Sequence, residues 1–217
     1  MKKIFVKATL AQEMLGTLPS DPNIHEDFIA SKAPDAPTRE EEIMMIGAHE
    51  MVMKDKTIFP RNKKGEVCIY DYLIKGFFKE ACAMLSRIAE KDPVTGKKST
   101  PNESSKLKAF KKIIDGHVFI YPRYIKLNFD GEIGNYQRPL RAQTAQGERV
   151  ALANSETVPE GTTLTFEIRI LNDALEKAVI EWLDYGEYKG LGQWRNAGMG
   201  KFTYEIISES EYKELNK

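Results

Sequence analysis

The feature that most restricts the fold of this chain is a glycine-rich segment near its C-terminal end. Five glycines lie between Gly186 and Gly200, after a stretch with helical periodicity and before one with strand alternation. Glycine permits positive φ and the close approach of another backbone, and successive amide groups in such a loop can bind an anion. Because the glycines precede a strand, the spacing matches neither a Walker A loop nor a dinucleotide-binding turn. The same pattern also fits a long structural connection with Trp194 packed into the core.

The segments around these glycines predict an α+β fold. Alternating apolar residues predict strands over residues 3–10, 117–129, 162–171 and 201–207. Helical spacing predicts helices over residues 71–90, from about Thr100, and after Asn172. The order is strand, helix with a second helix inserted, two strands, helix and strand. This is the βαββαβ order of a ferredoxin-like (RRM-like) antiparallel sheet with the helices on one face.

Local signals refine several boundaries. Thr100 and Glu103 form a capping box with proline between them, which predicts the start of the second helix, and Gly116 suits its C-terminal end. Val158 to Gly161 predicts a type I turn. The strand after that turn is followed by Asn172, which predicts an N-cap. Ser208 predicts a cap for a short terminal helix.

Two segments fall outside this arrangement, within a single domain of residues 1–217. Residues 11–66 form an excursion that is rich in proline and acidic residues at its beginning, which predicts a loop over the surface. Residues 131–157 are polar and basic and contain several glycines, which predicts an exposed hairpin or arm. We therefore expect an N-terminal insertion and a basic hairpin added to the main fold.

The charge of the chain is balanced overall but uneven along its length. There are 32 lysine and arginine residues against 32 aspartate and glutamate residues. Acidic residues predominate between Ala11 and Glu50 and basic residues between Lys106 and Arg149. The basic stretch either holds a polyanion locally, since screening limits the reach of distant charge, or is a solvated surface.

Composition also restricts the cellular setting. Two cysteines, Cys68 and Cys82, are too few for a disulfide framework. The first residues lack the apolar region of a signal peptide, and no run approaches the roughly 20 apolar residues that span a bilayer. We therefore expect a cytoplasmic protein that does not bind membranes.

The glycine-rich segment resembles the signature of the CRISPR-associated RAMP superfamily. Gly190-Leu191-Gly192 is followed by Arg195-Asn196 and then by Gly198-Met199-Gly200, which runs into a strand. Three further stretches are similar to the Cas7-like branch: the turn and strand Val158–Phe166, the helix opening Ile74–Lys79, and the basic Arg138–Ser155 in the place of a thumb hairpin. The sequence departs from the branch where Ile69–Tyr72 replaces a Pro-Gly-Ser-Ser lead into the first helix.

This resemblance implies an RNA-binding protein of antiviral defence that contacts the backbone of a guide or CRISPR RNA. The implied partners are that RNA, other CRISPR-associated subunits, and further copies of the chain along the RNA. The residues that match the family are joined by Trp194 as a candidate for RNA binding, because its ring could stack on a base. Each lysine or arginine among the candidates could equally be a solvated charge. The candidate RNA-binding residues are Lys75, Lys79, Arg138, Arg141, Arg149, Gly190, Gly192, Trp194, Arg195, Gly198 and Gly200.

Two other functions remain open. One is a protein that imitates a CRISPR subunit and docks on or blocks a CRISPR complex, which the near-zero net charge favours over a free RNA binder. The other is a Cas6-like, metal-independent endoribonuclease. The residues that could support catalysis are scattered, so we predict no catalytic residue, no metal and no cofactor: they are Asp21, Asp27, His25, His49 and His117.

Overall fold

The computed structural model describes residues 1–20, 56–87, 102–144 and 147–216. It divides the chain into two compact units. The first comprises residues 1–14, 60–130 and 159–217, and the second comprises residues 15–59 and 131–158. Strands pair mostly antiparallel and helices lie between them along the chain, so the predicted α+β class is confirmed.

The strands are β1 (Lys2–Leu10), β2 (Met14–Leu15), β3 (Leu18–Pro19), β4 (Lys56–Ile58), β5 (Cys68–Tyr70), β6 (Val118–Tyr121), β7 (Tyr124–Asn128), β8 (Gly134–Thr144), β9 (Gly147–Val158), β10 (Thr163–Ile170) and β11 (Phe202–Ile207). The helices are α1 (Asp71–Leu85), α2 (Phe110–His117), α3 (Glu176–Asp184), α4 (Gly186–Lys189) and α5 (Glu209–Leu215). Short 3₁₀ turns cover Ser104–Lys106, Asp173–Leu175 and Arg195–Ala197.

The first unit is built on a sheet with the order β11-β1-β10-β7-β5, in which β6 also pairs with β10. The alternation of β1 places Ile4, Val6 and Ala8 on one buried face. Two aromatic contacts connect helices and sheet on this side: Phe77 of α1 meets Phe202, and Phe78 meets Trp182 of α3, each pair with ring centroids 5.5 Å apart. Each such buried side chain contributes roughly 1.5–3 kcal/mol to folding.

The terminal helix α5 lies on the opposite face of the same sheet. Its Tyr212 ring lies 4.9 Å from the ring of Phe5, which alternates away from the core face. The hydroxyl of Thr165 donates to Asn216 Oδ1 over 3.0 Å. The prediction that the helices lie on one face is therefore wrong for α5. The physical reason is that Phe5 is apolar and packs against Tyr212 of α5. The predicted cap is present, since Ser208 Oγ accepts from the Glu211 amide at 3.2 Å.

The second predicted helix begins ten residues later than expected. Residues 104–106 form a 3₁₀ turn, Ala109 adopts positive φ, and α2 starts at Phe110. Glu181 of α3 explains the difference, because its carboxylate accepts hydrogen bonds from the amides of residues 103 and 104 and from the Ser104 hydroxyl. A tertiary contact therefore caps the turn and prevents an early helix. Gly116 lies inside α2 and does not follow it.

The turn before β10 lies one residue later than the predicted turn Val158 to Gly161. The amide of Thr162 bonds to Pro159 O, so the turn spans residues 159–162 and Gly161 takes φ of 82° at its third position. A type I turn has negative φ there, so the predicted type is wrong. The cause is Gly161, whose amide donates to Leu10 O over 2.8 Å and fixes its place beside β1.

The second unit contains the long hairpin of β8 and β9. Their register runs from Gly134 opposite Thr157 to Thr144 opposite Gly147. At its base β9 pairs in parallel with β4, and the buried Glu156 carboxylate accepts the Phe59 amide at 2.9 Å. These strands lie in the segment for which we predict a basic, thumb-like hairpin. Its role as a thumb stays a prediction.

Candidate nucleic-acid interface

The loop between α4 and β11 has a backbone that only glycine adopts readily at four positions. The φ angles are 76° at Gly190, 80° at Gly192, 92° at Gly198 and 72° at Gly200. Such values are costly for residues with a Cβ atom. Trp194 shares this left-handed conformation, with φ of 53°. The predicted use of glycine for positive φ is thus present throughout the loop.

The two ends of the loop touch. The amide of Leu191 donates to Gly200 O over 2.8 Å, and the Gly200 amide donates to Glu13 O over the same distance. A Cβ atom at Gly190 would lie 2.4 Å from the Gly200 carbonyl carbon, and one at Gly200 would lie 1.9 Å from Leu191 O. Close backbone contact, as well as φ, therefore requires glycine at both ends.

Two basic residues of the loop region hold a carboxylate of the first helix. Arg195 Nη1 donates to Glu80 Oε2, and Lys189 Nζ lies 3.4 Å from Glu80 Oε1. Lys189 also donates to Asn196 Oδ1 over 2.7 Å. These residues, with Gly192, Gln193 and Trp194, line a surface cavity of about 400 Å³. The glycine loop is thereby attached to α1.

Trp194 lies at the edge of this cavity. Its side chain is 39% exposed, so the alternative that it packs into the core is excluded. The buried tryptophan is Trp182, whose indole N–H donates to Ser104 Oγ over 3.0 Å. An exposed indole beside two cations is a suitable surface for a base and a phosphate.

Lys75 and Lys79 lie one turn apart on α1 and converge on one acidic residue. Lys79 Nζ is 2.6 Å from Asp115 Oδ1, and Lys75 Nζ donates to Asp115 O over 3.0 Å. Lys75 Nζ also lies 4.9 Å from the centre of the Phe119 ring. Burial lowers the pKa of Lys75, and the hydrogen bond from Lys79 lowers the pKa of Asp115. The two lysines predicted on α1 therefore lie close together, and both are paired with Asp115.

The three predicted arginines of the hairpin lie in the second unit. Arg138 is opposite Ala153, Arg141 is opposite Val150, and Arg149 is opposite Ala142. Arg141 and Arg149 occupy adjacent rungs of the β8–β9 ladder, and Arg138 lies three rungs from Arg141.

Glu80, to which Lys189 and Arg195 bind, is not among the residues predicted from the sequence. Its only signal is its position directly after Lys79 on α1, which gives no indication of a partner 115 residues away. The pairing of Tyr70 on β5 with Tyr124 on β7 was also not predicted.

Of the residues considered for catalysis, His117 is the one within the described part of the chain. His117 ends α2 with Nδ1 3.2 Å from Ile113 O, while Asp21, His25, Asp27 and His49 lie outside the described residues. Over the same residues, no group of three or more histidine, cysteine, aspartate or glutamate side chains is positioned to hold a metal. Within that part of the chain no helix is long and apolar enough to cross a membrane.

No known protein family matches the chain, and no curated protein matches it. Among solved structures, it aligns with a chain of the "Type III-B Cmr-beta bound to cognate target RNA", with a TM-score of 0.48 and 11% identity, over 95% of this chain and 60% of that one. It also aligns with Cmr6 from Pyrococcus furiosus, with a TM-score of 0.46 and 13% identity, over 94% of this chain and 98% of that one. Both likenesses concern the fold alone.

Proposed function

We propose that this chain binds the backbone of a guide RNA as a Cas7-like RAMP subunit, or associate, of a cytoplasmic CRISPR-type ribonucleoprotein. In this proposal β1, β6 with β7, β10 and β11 are the four strands of a ferredoxin-like sheet, and α1 and α3 are its two helices. The other subunits of the complex, or further copies of the chain, are its protein partners. The single observation that carries the proposal is the glycine loop Gly190–Gly200, with its exposed indole beside Arg195 and Lys189.

The chemistry of the loop suits a phosphate and an adjacent base. Lys189 and Arg195 lie beside the cavity that Trp194 lines, and guanidinium groups recognise phosphate oxygens well. Both cations are held by Glu80 in partly exposed ion pairs, which are worth only about 0–1 kcal/mol. An RNA phosphate can therefore replace this carboxylate at small cost. Lys75 and Lys79 extend the basic surface along α1.

The test is the salt dependence of RNA binding. We would measure fluorescence anisotropy of a labelled single-stranded RNA from about 50 mM to about 200 mM salt. The wild-type protein should bind with an affinity that falls with salt. Replacing both Lys79 and Arg195 by glutamine should weaken binding and reduce the slope of log affinity against log salt by about 0.7 for each lost phosphate contact.

The matched control is Lys213→Gln on α5, which removes an exposed, ion-paired lysine outside the site. It should leave affinity and slope unchanged. A wild-type protein that shows no RNA binding at the lowest salt contradicts the proposal, and equal effects of the control and the double variant contradict the site.

The second candidate is a protein that imitates a CRISPR subunit. The equal numbers of basic and acidic residues favour it, as do the carboxylates that already pair with Lys75, Lys79 and Arg195. Its test is co-purification with a ribonucleoprotein complex before and after ribonuclease treatment. Association that survives removal of the RNA, together with absent RNA binding by the isolated protein, favours the imitation of a subunit.

A further inference from the structure

A second exposed group of aromatic residues lies away from the glycine loop, at the other edge of the first unit's sheet. It consists of Tyr70, Tyr72, Arg123 and Tyr124, which we name the tyrosine cluster. Tyr70 and Tyr124 are directly opposite each other where the edge strand β5 pairs with β7. Tyr72 follows in the first turn of α1. Residues about fifty positions apart in sequence are thus brought together by this short pairing.

The rings form a nearly continuous aromatic surface. Tyr70 and Tyr72 are stacked with centroids 5.1 Å apart and an interplanar angle of 19°, and Tyr124 lies 5.2 Å from Tyr70. The guanidinium carbon of Arg123 is 5.0 Å from the Tyr70 ring centre and 5.2 Å from that of Tyr72. Asp71 binds Arg123 Nη1 and holds the guanidinium at the rings.

These groups face solvent, which is unusual for so much aromatic area. Tyr72 is 49% exposed, Tyr124 is 40% exposed and the Arg123 side chain is 59% exposed. Tyrosine and tryptophan rings normally bury most of their surface. An ion pair between Asp71 and Arg123 would need no aromatic neighbours, so the pair does not account for the three rings. Contiguous exposed apolar surface of this kind marks a binding site.

The cluster carries positive charge and aromatic faces together. Lys126 lies two residues from Tyr124 on β7, so it projects to the same side of the strand. Its ammonium is 2.8 Å from Glu66 Oε1, and the Lys126 side chain is about half exposed. Burial raises the pKa of Tyr70, and a hydrogen bond with Tyr124 adds to the effect. Tyr70 therefore stays neutral at physiological pH and presents an uncharged ring beside the cations.

We infer that the tyrosine cluster is a stacking site for unpaired nucleobases of single-stranded RNA. This inference rests on the proposed function and adds to it a second place for base stacking, apart from the phosphate and the adjacent base that the glycine loop suits. Single-stranded nucleic acids bind where aromatic faces and arginine planes offer stacking beside cations. The cluster offers chiefly ring and guanidinium faces, and stacking on such faces tolerates any base. Its position at the sheet edge leaves it open to an extended strand.

The experiment compares a base-bearing RNA with one that lacks bases. The probes are a roughly 16-nucleotide oligoadenylate and an abasic RNA of the same length. The test variant replaces Tyr72 and Tyr124 by leucine, which keeps apolar bulk and removes the aromatic faces. Tyr188→Leu is the control, because Tyr188 is 72% exposed and lies on α4, outside the cluster.

The double variant should bind oligoadenylate roughly 5- to 100-fold more weakly than wild type, the loss expected for one or two stacked bases. Its binding to the abasic RNA and its salt slope should match wild type, and Tyr188→Leu should change neither. Crosslinks from a thiouridine-containing RNA should map to Tyr72 or Tyr124. Arg123→Lys, which keeps the charge and loses the planar group, should weaken oligoadenylate binding in the same direction.

The possible failures are distinct. Salt-sensitive binding of oligoadenylate by the double variant, within about twofold of wild type, overturns the stacking site and leaves the proposed function intact. An equal loss on both RNAs also overturns it, since the tyrosines would then act without bases. A wild-type protein that binds neither RNA contradicts the proposed function itself. If the tyrosine cluster then binds a protein, the surface is assigned to a protein partner and the stacking site is overturned.

Discussion

Gly200 is the residue at which the glycine loop tolerates least change. An alanine there would place its methyl carbon 1.9 Å from Leu191 O while the backbone keeps φ of 72°. We expect Gly200→Ala to lower the free energy of unfolding by about 3 kcal/mol, because strain and overpacking add. Urea unfolding followed by circular dichroism measures this loss.

Gly198→Ala is the matched comparison. Its φ is 92°, but the nearest side-chain atom to an added Cβ is Lys201 Cε at 3.7 Å. Only the left-handed backbone then opposes the change, at a cost of about 1–2 kcal/mol. Equal destabilisation by the two variants would show that close contact at Gly200 contributes nothing.

Replacing Glu80 should raise the affinity for RNA, whereas replacing Lys79 and Arg195 should lower it. Glu80→Gln removes the carboxylate that holds Lys189 and Arg195, so both cations become available to phosphate. RNA binding should strengthen by about two- to fivefold, the range of a partly exposed ion pair. The anisotropy titration checks it, with Glu209→Gln, which breaks the exposed pair with Lys213 on α5, as the control. Weaker binding by Glu80→Gln would mean that the carboxylate orients the loop for RNA.

At the residue scale, the sequence predicts conformation better than it predicts partners. Positive φ at the loop glycines follows from the chemistry of glycine itself, and it is observed at Gly190, Gly192, Gly198 and Gly200. The ion-pair partners of Arg195 and Lys79 are set by tertiary packing, which places other helices beside them. Glu80 and Asp115 could therefore not be predicted as these partners from the sequence. Whether these cations contact RNA stays a prediction.

At the scale of single elements, β10 carries an acidic side chain on the sheet face that α5 occupies. Glu167 is buried and receives hydrogen bonds from Arg169 Nε at 2.7 Å and Nη2 at 3.0 Å, with Lys3 Nζ 3.5 Å away. The bonds from Arg169, and then the charges of Arg169 and Lys3, lower the pKa of Glu167. Its stabilising contribution is therefore present above the unfolded value of about 4.3 and is lost as pH falls through the lower folded value.

We expect Glu167→Gln to be less stable than wild type at neutral pH, by about 1–3 kcal/mol for a charged hydrogen-bond partner. The difference should shrink as pH falls from about 5 to about 3, because the wild-type carboxylate becomes protonated. Urea midpoints across this range measure the effect. Glu160→Gln, at an exposed position in the turn before β10, controls for loss of a carboxylate. A stability difference that is constant with pH would contradict the assignment.

The elements themselves were predicted where periodicity is strong. The strand β1 and the start of α1 at Asp71 agree with the predicted segments, and Asn172 caps the turn that leads into α3. The predicted start of the second helix was wrong because Glu181 overrides a good local capping signal. The Glu181 carboxylate accepts hydrogen bonds from the amides of residues 103 and 104, which lie 78 and 77 residues before it. Capping boxes report local preference, and a buried acceptor on another helix can outweigh it.

At the scale of the whole molecule, the β8–β9 hairpin can be shortened without touching the first unit. Gln137 and Asn154 are register partners, so an Asn-Gly turn can replace residues 138–153 between them. The replaced stretch contains Arg138, Arg141 and Arg149 but not the Glu156 that binds Phe59. We expect cooperative unfolding of the shortened protein within a few degrees of wild type, measured by calorimetry, because the first unit has its own core.

The same variant tests the predicted thumb. If the hairpin arginines contact RNA phosphates, affinity should fall and the salt slope should decrease by about 0.7 for each lost contact. A full-length hairpin with the three arginines replaced by glutamine should reproduce the loss. Unchanged RNA affinity in both proteins would remove the hairpin from the site.

The architecture was predictable only as a class. Alternation and helical spacing indicate an α+β chain because they depend on local burial. Pairings such as β4 with β9, or Tyr70 opposite Tyr124, join segments far apart in sequence. They are fixed by the sheet as a whole, and so is the placement of α5 over Phe5.

The contrast between the two tryptophans gives the protein separable optical reporters. Trp182 is fully buried and donates a hydrogen bond to Ser104, whereas Trp194 is exposed at the glycine loop. Aqueous iodide should quench emission from Trp194 and leave that from Trp182, so the quenchable fraction follows events at the loop while the protected fraction follows unfolding of the core. A titration of RNA in one cuvette can then distinguish ligand arrival from loss of structure without any added dye.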